Sequence, residues 1–112
     1  LHELSLCESL LEIIEEQASV HNYRRVKTVW LEVGRFAGVE GAALRFSFEV
    51  VVRESLAEGA KLKIIDIPGR GWCFDCGEEV LVEGYFEICP RCGGAVQITG
   101  GQEFRMKELE VE

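Results

Sequence analysis

Four of the five cysteines fall in two Cys-x-x-Cys-Gly units, Cys73-Phe74-Asp75-Cys76-Gly77 and Cys89-Pro90-Arg91-Cys92-Gly93, with twelve residues between the pairs. A two-residue gap lets both sulfurs of a tight turn face one ion, and the glycine after each pair tolerates a positive φ that turns backbone amides toward the thiolates. Zinc takes four such sulfurs at about 2.3 Å and keeps no open position. The expected chemistry is therefore structural: Zn2+ held by Cys73, Cys76, Cys89 and Cys92. Two disulfides are the competing reading, and they would leave Cys7 as an odd thiol. Glu3 and Glu8 among the first leucines do not suit a secretory signal, so a reducing, cytoplasmic setting is expected.

The other candidate ligands lie at the amino terminus. Leu1-His2-Glu3 would be ordinary inside a chain, but a free α-amine, the deprotonated amide of His2 and the His2 Nδ1 form fused five- and six-membered chelate rings around one ion. Such nitrogen donors favour square-planar nickel or copper(II). Glu3 can add a donor, and its charge offsets the cost of placing a cation at the positive end of the helix that follows. A histidine near a start is more often a frayed, solvated residue. His21, the second histidine, reads as a solvated helix end.

A chain of 112 residues, 47% hydrophobic, suits one compact domain plus a small metal-stapled module. Apolar residues at Leu4, Cys7, Leu11, Ile14 and Ala18 recur with helical spacing, with Glu8, Glu12, Glu15 and Glu16 on the wet side. Cys7 lies on the apolar stripe and reads as a core thiol, and His21-Asn22 ends the helix. Val29, Leu31 and Val33 alternate with Thr28, Trp30 and Glu32, so 26–33 is a strand, and 35–41 is a connecting loop. Leu44, Phe46, Phe48, Val50 and Val52 alternate as a strand would, yet Leu44, Phe48, Val51 and Ser55 fit one helical face. Length and the leading alanines favour a helix without deciding the matter. Lys61–Ile67 is a strand stopped by Pro68-Gly69. Residues 80–82 and 85–88 flank Glu83-Gly84 and predict a hairpin between the cysteine pairs. Phe104 and Met106 share one parity and Leu109 and Val111 the other, which predicts a last strand with a bulge near Lys107-Glu108.

Set in order, His2-Glu3-Leu4-Ser5-Leu6-Cys7, Val29-Trp30-Leu31-Glu32-Val33-Gly34, Val39-Glu40, Arg45-Phe46-Ser47-Phe48-Glu49, Ala57-Glu58-Gly59 and the paired CxxC units resemble the HypA/HybF family of hydrogenase maturation factors along essentially the whole chain. The resemblance implies an α+β fold: two helices on a three-stranded mixed sheet with an inserted zinc-ribbon-like module. The nickel-binding domain would comprise 1–69 plus 101–112, and the zinc module 70–100. It also implies a nickel metallochaperone, with structural Zn2+ on the four cysteines and transported Ni2+ held by His2 and the amine and amides of Leu1 and its neighbours. Glu3 belongs to that motif, and Glu40 matches an acidic position near the nickel. The partners implied are a hydrogenase maturation GTPase and the hydrogenase large subunit, with a homodimer left open. The family begins with Met where this chain begins with Leu1. A chelate built from amine and backbone tolerates that change, whereas an upstream extension would turn the amine into an amide.

Other functions fit less well. Cys-x-x-Cys-Gly with Cys-Pro-x-Cys-Gly also resembles the iron knuckles of rubredoxin, an electron carrier. A zinc-ribbon module for nucleic acid is opposed by the net charge of -8 and a pI near 4.8, because phosphate affinity is built from Lys and Arg. No apolar run reaches the roughly 20 residues that span a bilayer, so no membrane partner is expected. No Gly-x4-Gly-Lys-Ser/Thr loop is present, and neither Ser5, Ser9 nor Cys7 has a histidine placed as a base, so no enzyme activity is expected.

Overall fold

A computed structural model describes residues 2–84 and 88–112. Its elements run α1 (His2–His21), β1 (Val26–Gly34), α2 (Gly41–Val51), β2 (Lys61–Ile67), β3 (Gly69–Cys73), β4 (Glu78–Val82), β5 (Val96–Gly100) and β6 (Phe104–Val111). They form two three-stranded sheets, ordered β2-β1-β6 and β4-β3-β5. Two compact units result, one of Leu1–Leu31, Val39–Ile64 and Met106–Glu112, the other of Glu32–Gly38 and Ile65–Arg105. None of the described helices is long and apolar enough to cross a membrane.

In the first unit α1 buries Cys7, Leu10 and Ile14 and packs against α2; Cys7 and Ile14 lie on the expected stripe, whereas Leu4 on it is exposed. Asn22 ends it at φ 58, a left-handed conformation that asparagine tolerates better than most residues. The doubtful segment is a helix. Leu44 and Phe48 are buried whereas Phe46 is 68% exposed, which a strand would not allow because 44, 46 and 48 would then share a face. Leu44, Cys7, Ile14, Val26, Val29 and Leu31 are all at most 1% exposed and form the centre of this core.

The first sheet is mixed. Beyond the ends of β1 and β2, Arg35 N–H donates to the Ile67 carbonyl, as a parallel pair joined by α2 requires, while Glu112 N–H donates to the Arg25 carbonyl and Gly34 N–H to the Glu103 carbonyl, as an antiparallel β1 and β6 require. Along β6 the half-buried residues are Phe104, Met106 and Leu109, with Lys107 and Glu108 both exposed. The change of parity that the sequence foretold is thus present in the burial.

In the second unit the second arm of the expected hairpin lies almost wholly outside the described residues. Residues 80–82 belong to β4, which pairs antiparallel with β3, from Gly69↔Val82 to Cys73↔Glu78. On the other flank of β3 runs β5, with Gly71 opposite Ile98 and Cys73 opposite Val96. Ile88 is irregular, and Tyr85, Phe86 and Glu87 lie outside the described residues. Both strands were missed in the sequence. β3 escapes notice because its inward positions are Gly69, Gly71 and Cys73, so it has no apolar alternation to read. Those small residues have a purpose: a methyl group on Gly71 would lie 2.1 Å from the Val96 side chain.

The helical phase of α2 yields a paired prediction. Leu44→Ala should lower the unfolding free energy by about 2–5 kcal/mol, the range for emptying a buried leucine site. Phe46→Ala should change it by no more than about 0.5 kcal/mol, as expected for an exposed position. Urea unfolding followed by circular dichroism measures both, and equal losses would contradict the helical assignment.

Candidate metal centre

The second sheet delivers its cysteines to one point. Cys73 is the last residue of β3 and Cys76 sits in the turn before β4, while Cys89 and Cys92 bracket a second turn before β5. The two turns are built alike. Gly77 N–H donates to the Cys73 carbonyl and Gly93 N–H to the Cys89 carbonyl, both at 2.8 Å. Gly77 and Gly93 have φ of 68° and 73°, so the glycine after each pair is there for its left-handed backbone, as the repeated motif suggests.

All four sulfurs lie within 4.8 Å of one another. Cys73 and Cys92 are 3.5 Å apart and Cys76 and Cys89 3.7 Å apart, sulfur to sulfur. Disulfide bonds would need about 2.05 Å. A tetrahedron of sulfurs at 2.3 Å from a central ion has edges of about 3.8 Å, so the spacing suits a metal and not a pair of bridges. Backbone amides point at the sulfurs as well: Cys76 N–H to Cys73 Sγ, Arg91 N–H to Cys89 Sγ and Gly94 N–H to Cys92 Sγ, each at 3.4 Å.

The electrostatics say the same. Amide donation from Cys92 and Arg91 lowers the Cys89 thiol to about 7. Hydrogen bonding to Cys92 first, then to Cys89 and Cys73, pushes Cys76 up to about 12. Four sulfurs this close cannot all carry charge unless a cation compensates them, and a divalent ion does so. Cys73 and Cys89 are buried, Cys76 half-buried and Cys92 exposed, so the centre has a dry side and a wet one. An ion pair between Arg91 and Glu78, one residue beyond Gly77, ties the two turns together. That pair was not foreseen, since nothing in the spacing marks it.

The amino-terminal candidates are arranged differently. His2 is exposed in the first turn of α1, and Leu1 lies outside the described residues. Glu3 Oε2 accepts the Glu40 N–H at 3.1 Å, and that bond, foremost, holds the Glu3 carboxyl below the usual range. Glu40 is the N-cap of α2: its carboxylate oxygens accept from Ala42 N–H at 3.2 Å and Ala43 N–H at 2.6 Å. The capping role was missed, although an acidic residue directly before Gly41-Ala42-Ala43 is a helix-start signal. The structure thus brings Glu3 to Glu40. Among the described residues, however, the four cysteines are the one group of three or more such side chains with all donor atoms close together. Cys7 is fully buried, its Sγ donates to the Leu44 carbonyl, and burial pushes it up to about 11, so it is a core thiol.

Known proteins share this fold over nearly the whole chain. The family model for hydrogenase/urease nickel incorporation, metallochaperone, HypA, matches residues 1–111. The hydrogenase maturation factor HypA of Cereibacter sphaeroides strain KD131 / KCTC 12085 is 54% identical over 113 residues, covering all of both chains, and that of Azotobacter chroococcum mcd 1 is 50% identical over the same span. The solution structure of the Ni metallochaperone HypA from Helicobacter pylori superposes with a TM-score of 0.69 at 28% identity, covering 97% of this chain and 96% of that one. Match over nearly every residue, identity of half or more to maturation factors and a shared architecture leave one assignment: the chain belongs to the HypA family of hydrogenase/urease nickel-incorporation metallochaperones.

Proposed function

We propose that the chain carries Ni(II) at its amino terminus and hands it on during [NiFe]-hydrogenase maturation, with a permanent Zn2+ on Cys73, Cys76, Cys89 and Cys92. In this reading 1–69 and 101–112 serve nickel and 70–100 serve zinc. The observation that carries it is the family-wide match joined to a four-sulfur cluster of tetrahedral spacing. Zinc would supply a fixed dication that lets all four sulfurs ionise together. The chain's own contribution there is the pair of amide-lined turns.

Nickel is cargo, and the start of α1 suits a cargo. The first N–H groups of a helix have no partner within it, so coordination by deprotonated amides of His2 and Glu3 breaks no helical hydrogen bond. The Leu1 amine and the His2 imidazole complete the nitrogen set. A cation there faces the positive end of the α1 dipole, and the carboxylates of Glu3 and Glu40 offset it. Glu40 contributes charge and holds Glu3 in place, since its oxygens already accept the first amides of α2. An exposed set can be exchanged donor by donor onto a partner, whereas the sulfur cluster, half closed off, cannot. The partners of this reading are a maturation GTPase and the hydrogenase large subunit, with no enzymatic step in the chain itself. This reading places the chain in a reducing cytoplasm, where cysteines stay available to a metal.

Two experiments separate the sites. In a nickel titration, the native terminus should bind, and both His2→Ala and an amine-acetylated form should lose that binding while their zinc content stays unchanged; equal binding by all three would refute the terminal chelate. Metal analysis should give about one zinc per chain with a colourless protein. Cys73→Ser or Cys89→Ser should lose the zinc and the cooperative melting of the second sheet, while the α1 signal persists. A red, iron-loaded protein would return the cluster to electron transfer.

A further inference from the structure

Four sulfurs gathered at one point need not be equally protected, and here they are not. Cys73 is fully buried, Cys89 is 2% exposed and Cys76 is half-buried, whereas Cys92 is exposed. The chain around Cys92 leaves it open: Arg91, Gly93 and Ala95 are exposed, and Gly93 and Gly94 carry no side chain to cover the sulfur. The exposed sulfur touches the most deeply buried one, Cys92 Sγ lying 3.5 Å from Cys73 Sγ. An accessible thiolate beside a second cysteine is the arrangement that senses peroxides, since the first sulfur is oxidised and the second closes a disulfide on it. Zinc keeps the accessible sulfur ionised, because a coordinating thiol is deprotonated outright.

The topology decides which pairing preserves the module. Cys73 ends β3, opposite Glu78 on β4 and Val96 on β5, while Cys92 lies in the second turn, before β5. A bridge from Cys73 to Cys92 keeps the two turns stapled after the ion has gone. A bridge inside either turn, Cys73 to Cys76 or Cys89 to Cys92, leaves them with neither a covalent nor a metal link. The remaining sulfurs, Cys76 and Cys89, are also one from each turn and lie 3.7 Å apart. Cys7 is shielded from this chemistry: it is fully buried, and its Sγ donates to the Leu44 carbonyl.

We propose that Cys92 is an oxidation site and the four-sulfur centre a reversible peroxide switch: Cys92 is oxidised first, Cys73 closes a disulfide on it, and the zinc ion leaves. This rests on the zinc reading above. The Cys92 thiolate attacks one oxygen of hydrogen peroxide, so an S–O bond forms, the O–O bond breaks and the second oxygen leaves as hydroxide. The Cys73 thiolate then attacks the Cys92 sulfur, forming the S–S bond and expelling a second hydroxide. Two protons from solvent turn both hydroxides into water. Two electrons have then passed from the sulfurs to the peroxide. With two ligands lost, zinc dissociates as Zn2+ and leaves Cys76 and Cys89 as thiolates. A dithiol reductant reverses the change, and the ion binds again.

Stepwise addition of hydrogen peroxide to the full zinc-loaded chain tests this, with released zinc read by a metallochromic dye and the thiols mapped by mass spectrometry. At about one equivalent, zinc should be released one for one, titratable thiols should fall from five to three, and the bridge should join Cys73 to Cys92. A cyclic dione added with the peroxide should trap the sulfenic acid on Cys92 at least about tenfold more than on Cys76 or Cys7. Dithiothreitol should restore zinc uptake. None of these readouts replaces a ligand, so misfolding of a cysteine variant does not enter. Zinc that stays bound under peroxide, a bridge within one turn, equal trapping on Cys92 and Cys76, or oxidation of Cys7 alongside them overturns the proposal alone. A chain that holds no zinc before peroxide is added fails the zinc reading, and the proposal with it.

Discussion

The second sheet depends on the fact that its ligands are also its interior. Its cluster of buried hydrophobic side chains is Cys73, Val80, Val82 and Cys89, so two of the four carry sulfurs that repel one another once ionised. Without compensation the four sulfurs share their protons unevenly, Cys89 held down to about 7 while Cys76 is pushed up to about 12. A module this small has few other apolar groups to rely on. Its stability and its metal are therefore one quantity, and a closed four-sulfur centre has no coordination site left for traffic.

The start of α1 is the physical opposite. Its side chains are exposed or half-buried, its first amides are unpaired by the rules of helix geometry, and among the described residues the bond from the Glu40 N–H to Glu3 anchors it. That bond links the first turn of one helix to the cap of the next, so the direction in which α1 begins is set by where α2 begins. The proposed nickel site is consequently held by the fold at Glu3 and open at His2. A carrier needs such a combination, since it must both collect an ion and give it up.

Much of this was legible in the residues, for reasons that differ by element. The cysteine spacing, the α1 stripe, the alternation of β1 and the Pro68-Gly69 stop after β2 each carry a local physical cause, and each appears where the sequence placed it. For α2, Leu44 to Val52 satisfies the two-residue and the helical period at once, and only tertiary packing, which exposes Phe46, decides. β3 was invisible because its inward positions are glycines and a cysteine, so the pairing of Val80–Val82 with 69–73 had no signal to announce it. The Arg91–Glu78 pair is a product of proximity that no spacing rule encodes, whereas the cap at Glu40 is local and carried a helix-start signal. In the proposed nickel set, His2 and Glu3 were visible as types in position, whereas the tie from Glu3 to Glu40 emerged only from the fold.

The division between a resident ion on sulfur and a travelling ion on nitrogen is tested most directly by X-ray absorption at both metal edges of one sample loaded with zinc and nickel. Zinc should show four sulfur neighbours at about 2.3 Å and nickel only nitrogen and oxygen neighbours. Sulfur in the nickel shell, or nitrogen and oxygen replacing sulfur around zinc, would contradict it.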